Sequence, residues 1–382
     1  MKYFLIAGEA SGDMHGARLM AEVKEYDQKA DFMYFGGDLM KEQGGTLLKH
    51  YREMAYMGIL PVLTHLGAIK RNLTLCKKQL LMFNPDVVIL IDYPGFNLRI
   101  AKFAKKKKYA TAYYISPKIW AWKTRRIKSI KRYIDQMYTI FPFETSFYQQ
   151  FNYQVNYVGN PVYDIIQEEK EKKIDFQQFC KNNNLSGKPI VALLAGSRKH
   201  EVKEMLPIME QVSDHFSEYE FVIAGVDALG SNFYKETLIK NLKVVYNQTY
   251  ALLQNSKAAL VTSGTATLET GLLYVPQVVC YRMGFGWFLE RIKDKVLKTK
   301  YFSLINIIAG KEVVKELFQS QVNVQNLSTE LDKLLHNTEY QQNMLNNYRS
   351  IENTIKTNGA AKAAAQLIVE SIKTQKKDDT SA

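Results

Sequence analysis

A chain of 382 residues exceeds the size that one hydrophobic core serves efficiently, so two domains of roughly 150 to 200 residues are expected. Apolar residues at 46% and charged residues at 23% exclude a largely disordered chain. Net charge is +13, with 24 Lys+Arg against 14 Asp+Glu in residues 1–165, a field that suits nucleic acid, anionic lipid or phosphorylated substrates.

The chain opens on an apolar strand, YFLIA (3–7), which runs into the loop GEASGD. Such a loop before a helix ordinarily cradles phosphate, yet this one carries two carboxylates, Glu9 and Asp13. No basic segment leads into an apolar one at the start, and no apolar run approaches the roughly 18 residues that span a bilayer, so neither a signal peptide nor a transmembrane helix is expected. Cys76, Cys180 and Cys280 lack paired spacing, which argues against a disulfide framework or a zinc site and fits a reducing cytoplasm.

Strands continue with FMYF (32–35), VVILI (87–91), TAYYI (111–115) and QMYTI (136–140), separated by helical patterns. Near-continuous apolar strands belong to parallel sheets covered on both faces, so residues 1–165 read as a doubly wound, Rossmann-like α/β domain. Between the strands, MGILPVLTHLGAIKRNLTL (57–75) has two readings. It is a buried core helix, or a segment that dips into a membrane interface through Leu60, Leu63, Leu66, Lys70 and Arg71.

In VVILIDYPGFN (87–97) a buried strand ends at Asp92, before Pro94 and Gly95. A carboxylate there faces the crevice where α/β proteins bind ligands, or else caps the following turn. YISPKIWAWKTRRIKSIKR (114–132) couples Trp120 and Trp122 to a basic run, which suits base stacking, the wall of a sugar or lipid site, or a solvated face.

Strands resume after a charged stretch at 167–184, as IVALLA (190–195), EFVIAG (220–225), VVY (244–246), AALVT (258–262) and QVVCY (277–281), a second Rossmann-like domain spanning 166–345. Its loops hold the parts of an anion site. Gly196, Ser197 and Arg198 follow one strand, offering backbone N–H groups and a guanidinium, or simply forming a glycine turn. Ser263, Gly264 and Thr265 follow another, with Glu269 in the first turns of the next helix: either they merely cap that helix, or they let a diphosphate approach its N-terminus while Glu269 accepts from ribose hydroxyls. Asn306 precedes an apolar stretch in SLINIIAGKEVVKEL (303–317) and alone signals only a cap. Residues 346–382 read as helix, with a disordered tail after Lys373.

The chain has no G-x-x-x-x-G-K-[ST], no G-x-G-x-x-G after a strand, no H-E-x-x-H and no D-x-D. A sugar-nucleotide transferase without paired aspartates stabilises its leaving diphosphate with helix N-termini and cationic side chains, so no metal site is expected.

Taken together, AGEASGD (7–13), MGILPVL (57–63), PDVVILIDYPGFN (85–97), YISPKIWAW (114–122), FPFE (141–144), VGNPVYD (158–164), AGSRKHEV (195–202), SGTATLE (263–269), YRM (281–283) and SLINIIAGKEVVKEL (303–317) resemble, in order, the lipid-A-disaccharide synthases. The resemblance implies a GT-B-like α/β fold, two Rossmann-like doubly wound domains facing a cleft, with C-terminal helices returning to the first. It implies an inverting transfer joining UDP-2,3-diacylglucosamine to 2,3-diacylglucosamine 1-phosphate (lipid X), with release of UDP and no cofactor. Asp92 matches the general base, with Glu9 orienting the acceptor or competing for that role. Ser11, Asp13 and Trp120 shape the acceptor side; Ser197, Arg198, Ser263, Gly264, Thr265, Glu269 and Asn306 serve the donor. The implied place is the cytoplasmic face of an anionic inner membrane, held peripherally, with a homodimer left open.

The chain departs from the family at Ala10 (usually Thr), Tyr93 and Gly95 (Ala and Asp), Ala195 (Pro) and Ile305 (Pro). Rival readings are a UDP-sugar 2-epimerase on the same architecture and a basic nucleic-acid-binding protein.

Overall fold

The computed structural model describes the chain except residues 55–65, 122, 239, 241, 283–299, 358 and 382. Two compact units emerge: Met1–Pro161 with Lys356–Ala382, and Val162–Ile355.

The first unit is built on seven parallel strands: β1 (Lys2–Ala7), β2 (Asp31–Gly36), β3 (Thr46–His50), β4 (Val87–Ile91), β5 (Ala110–Tyr114), β6 (Gln136–Thr139) and β7 (Asn156–Tyr157). Their order is β3-β2-β1-β4-β5-β6-β7, so the chain changes direction across the sheet between β1 and β4. Registers Ala7↔Ile91 and Ile91↔Tyr114 bring the carboxyl ends of β1, β4 and β5 to one edge. Every residue of β4 is buried, as a strand covered on both faces requires. The helix Leu66–Phe83 returns from that edge to the start of β4, which puts the exposed Lys70 and Arg71 near the carboxyl ends. Leu60 and Leu63 lie outside the described residues, and Leu66 opens this helix.

The second unit repeats the plan with six parallel strands: β8 (Ile190–Leu194), β9 (Glu220–Gly225), β10 (Lys243–Tyr246), β11 (Ser256–Thr262), β12 (Gln277–Tyr281) and β13 (Lys315–Phe318), ordered β10-β9-β8-β11-β12-β13. Its change of direction falls between β8 and β11. Ile190, Ala192, Val222, Ala259 and Val261 form the centre of its core.

Both expected boundaries move. The first unit ends at Pro161 rather than 165, and the second extends to Ile355 rather than 345. The later boundary follows from the helix Thr338–Ile355, where Tyr348 accepts from Gln277 Nε2 at 3.2 Å and Glu352 pairs with Lys170 at 2.9 Å.

The last helix, Ala360–Ser381, belongs to the first unit and packs on the helix Ala10–Tyr26 through Ala364, Ala365, Ile368, Val369 and Ile372. The tail expected to be disordered continues this helix. Lys373 Nζ donates to the Tyr26 carbonyl at 3.2 Å and Lys376 pairs with Asp86 at 2.7 Å, which anchor the charged segment. Among the described residues, no helix is long and apolar enough to cross a membrane.

Candidate active site

Open α/β sheets bind ligands at the carboxyl ends of strands where the strand order reverses. Glu9 follows β1 and Asp92 follows β4, so both carboxylates stand at that point of the first unit, on neighbouring strands. Glu9 is the N-cap of the helix Ala10–Tyr26 and is partly exposed; Ser11 is exposed within the first turn. Asp13 points elsewhere. It is buried and accepts from the backbone N–H groups of Gly37 (2.7 Å), Leu39 (3.1 Å) and Met40 (3.1 Å), so its carboxylate caps the neighbouring helix Asp38–Glu42 and is not presented to a ligand.

Asp92 sits on a strained elbow. Its φ is 42° and that of Tyr93 is 47°, two successive non-glycine residues in the left-handed region. Each such residue costs about 1–3 kcal/mol and persists only where its surroundings over-determine it. Here the Asp92 carbonyl accepts from Tyr113 Oη (2.5 Å) and Asn97 Nδ2 (2.7 Å), and the same Asn97 amide reaches the Ile91 carbonyl at 3.1 Å. Tyr93 Oη donates to the Met54 carbonyl at 2.8 Å. The Tyr93 ring covers Gly8: a Cβ at that glycine would stand 2.3 Å from Tyr93 Cδ1. The two loops are thus interlocked, and glycine in AGEASGD makes room for an aromatic ring rather than a phosphate.

Burial pushes the Asp92 carboxyl above its ordinary range, against the opposing pull of Lys118 and the Tyr93 N–H. A carboxylate whose charge is disfavoured is a better proton acceptor, the property a general base needs.

Trp120 does not wall a ligand site. Its side chain is only 7% exposed, Nε1 donates to Glu144 at 3.1 Å, and the ring meets Phe141 and Phe143 edge-on at 6.3 and 5.1 Å. Glu144 is fully buried, held by Ser116 Oγ, Trp120 Nε1 and the N–H groups of Ile140 (3.1 Å) and Phe141 (3.0 Å). Burial raises its pKa despite those four donors. This carboxylate fastens the 115–121 segment, including exposed Lys118, to the end of β6. FPFE held the residue, but nothing near it in sequence signalled its partners. Trp122 lies outside the described residues.

In the second unit, Ser197 and Arg198 after β8 and Gly264 and Thr265 after β11 are exposed at the corresponding reversal point. Ser263 is half-buried, with its N–H on the Cys280 carbonyl (2.9 Å) and its Oγ on that of Phe302 (3.3 Å). Glu269 accepts from Tyr250 Oη at 3.2 Å, and burial raises its pKa.

Asn306 is turned inward. Its Oδ1 accepts from Val313 N (2.7 Å) and Val314 N (3.0 Å), while Nδ2 donates to the Val314 carbonyl and to Glu316, both at 2.9 Å. With both donors and both acceptor positions used inside the protein, it has no capacity for a ligand. It closes the loop between the helix Leu304–Ala309 and β13.

The chain matches the sequence model described as Lipid-A-disaccharide synthetase over residues 3–369. It belongs to the lipid-A-disaccharide synthase family. A family relative from Syntrophus aciditrophicus is 33% identical over 377 residues, covering 97% of each chain. Among solved structures, UDP-GlcNAc 2-epimerase from Neisseria meningitidis bound to UDP-GlcNAc aligns with a TM-score of 0.68 at 14% identity, over 98% of this chain and 100% of that one. CalG4, the calicheamicin glycosyltransferase, aligns at 0.57 and 14% identity, over 97% of both. These likenesses show the GT-B fold, and the family makes the protein a glycosyltransferase of lipid A biosynthesis.

Proposed function

We propose that the protein condenses UDP-2,3-diacylglucosamine with lipid X, forming the β(1→6)-linked disaccharide 1-phosphate with inversion and releasing UDP. The observation that carries the reading is Asp92: a carboxylate with raised pKa, held on a strained elbow where the strand order of the first sheet reverses. In this reaction the acceptor 6-hydroxyl attacks the anomeric carbon, its proton passes to Asp92, and the anomeric C–O bond to the diphosphate breaks. Glu9 and Ser11 orient the acceptor from the adjoining loop.

Arg198 and Ser197 with the Ser263–Thr265 turn meet the charge that develops on the departing UDP, and Glu269 meets the ribose. One preorganised donor contributes on the order of 100 to 1,000-fold in rate, so this arrangement does not call for a metal. Basic Lys70 and Arg71, exposed near the carboxyl edge of the first sheet, support peripheral attachment at an anionic membrane surface, where acylated substrates reside.

Purified protein is incubated with the donor, with and without lipid X, and products are analysed by mass. Disaccharide appears only with both lipids. UDP release indifferent to lipid X, or epimerised donor, sinks the transferase reading. Asp92→Asn abolishes turnover while UDP-sugar still binds; near-normal turnover removes Asp92 as the base.

A further inference from the structure

The turn after β8 is organised around a side chain that sequence reading passed over. Glu201, in the first turn of the helix Lys199–Val212, reaches back with Oε2 to the N–H groups of Ser197 (2.9 Å) and Arg198 (3.2 Å). Its Oε1 accepts from Arg198 Nη1 at 3.2 Å. The carboxylate is the inner partner, 18% exposed against 52% for the arginine side chain. It is also fixed from below, because Val202, Met205, Leu206 and Met209 on the same helix are fully buried.

Gly196 completes the device. Its φ of 119° favours glycine, and a Cβ there would lie 2.6 Å from Glu201 Cβ and 2.8 Å from Oε2. The glycine therefore makes room for Glu201, and the two backbone N–H groups beyond it already hold a carboxylate. The turn is not an open phosphate cradle. What it presents outward are the side chains of Ser197 and Arg198, the guanidinium of the latter held at one edge by Glu201. Tyr281, at the end of β12, lies within the field of both charges.

We infer that Glu201 is the positioning residue for Arg198 in donor recognition. The inference rests on Arg198 serving the donor diphosphate. Two effects oppose each other: a carboxylate near a diphosphate repels it, while a guanidinium held at one edge meets it without first being ordered. The bidentate fit of the planar fork to phosphate makes orientation the larger effect.

The test is a double-mutant cycle in the full chain, with Glu201→Gln, Arg198→Ala and both, read by UDP calorimetry and by donor and acceptor KM. Glutamine keeps an oxygen for the two backbone N–H groups and removes the charge that orients the guanidinium, so the fold and acceptor KM hold. UDP affinity is expected to fall about tenfold in Glu201→Gln, and the double variant to be no weaker than Arg198→Ala alone, as coupled residues behave.

Tighter UDP binding in Glu201→Gln overturns the inference, because repulsion then outweighs orientation. A silent Glu201→Gln, or additive losses, overturns it while leaving Arg198 in its donor role. An Arg198→Ala protein with unchanged UDP affinity overturns both.

Discussion

Replacing Asn97 by alanine separates the stability of the Asp92 elbow from the catalytic use proposed for it. The Asn97 amide is buried and donates to the carbonyls of Ile91 (3.1 Å) and Asp92 (2.7 Å). A buried carbonyl left without a donor costs about 1–3 kcal/mol. The Asp92 carbonyl keeps Tyr113 Oη at 2.5 Å, and the Asn97 amide also approaches the Ile6 carbonyl at 3.4 Å, so the gross loss of these donors is about 2–4 kcal/mol. Against this stands the strain of Asp92 and Tyr93, about 1–3 kcal/mol each, which the shortened side chain allows to relax. The two terms are of similar size and opposite sign. Asn97→Ala is therefore expected to fold, with its urea midpoint only modestly lowered, while turnover at saturating substrate falls on the order of 100-fold as the carboxylate leaves its position. Product formation and urea unfolding on the same preparation check this. A large loss of stability with turnover near wild type in the folded fraction would refute the reasoning, since the elbow would then not need holding.

The ring of Tyr93 over Gly8 predicts a reciprocal rescue: Gly8→Ala alone abolishes turnover by displacing the ring, and Gly8→Ala with Tyr93→Ala recovers much of it, measured as disaccharide formation. If Tyr93→Ala gives no recovery, the contact does not explain the glycine. His15 predicts a pH effect. Burial, reinforced by Arg18, lowers its pKa from 6.5 to about 4, so the unfolded chain binds its proton at higher pH than the folded one. Stability is then complete above pH 6.5 and lost as pH falls toward 4, by up to about 2 kcal/mol at pH 5. The unfolding free energy of His15→Leu is expected to fall less steeply over that range than that of the unaltered chain, and parallel slopes would exclude the effect.

The interior strands could be read from sequence because VVILI or IVALL, buried on both faces, has no polar alternation to obscure it. The edge strands β3 (TLLKH), β7 (NY) and β13 (KELF) were missed because short, partly charged segments are how sheets end. The positions of Asp92, Arg198 and Ser263–Thr265 at strand ends were legible for the same reason as the strands they follow. Burial decided the rest. Trp120 and Asn306 have the chemistry of ligand-binding groups, but their polar atoms are taken by Glu144 and by Val313, Val314 and Glu316. Asn97 and Glu144 could not be found from local pattern, since Asn97 Nδ2 approaches the Ile6 carbonyl 91 positions away and Glu144 meets Ser116 28 positions away. The tail after Lys373 reads as disordered by charge, yet the helix is secured by Asp86, far earlier in the chain.

The two units solve the same topological problem with different backbones, and the difference suits the role proposed for each. At the reversal point of the first sheet the left-handed positions are Asp92 and Tyr93, and Ile115 (φ 63°) adds a β-branched residue after β5. At the reversal point of the second, the left-handed position after β8 is Gly196, which adopts that conformation without strain. A base must hold one carboxylate against a single hydroxyl, within a few tenths of an ångström, so a costly conformation fixed by buried hydrogen bonds is useful there. A diphosphate is large, multiply charged and tolerant of small shifts, so an exposed arginine oriented by one carboxylate suffices. Substitutions that loosen the first site should accordingly lower turnover at saturating substrate, whereas those that loosen the second should first raise the donor KM. A set of variants in Asn97 and Tyr113 on one side, and Glu201 and Thr265 on the other, sorted by kcat and donor KM, distinguishes this division of labour from a single jointly organised site, in which both groups would shift both constants alike.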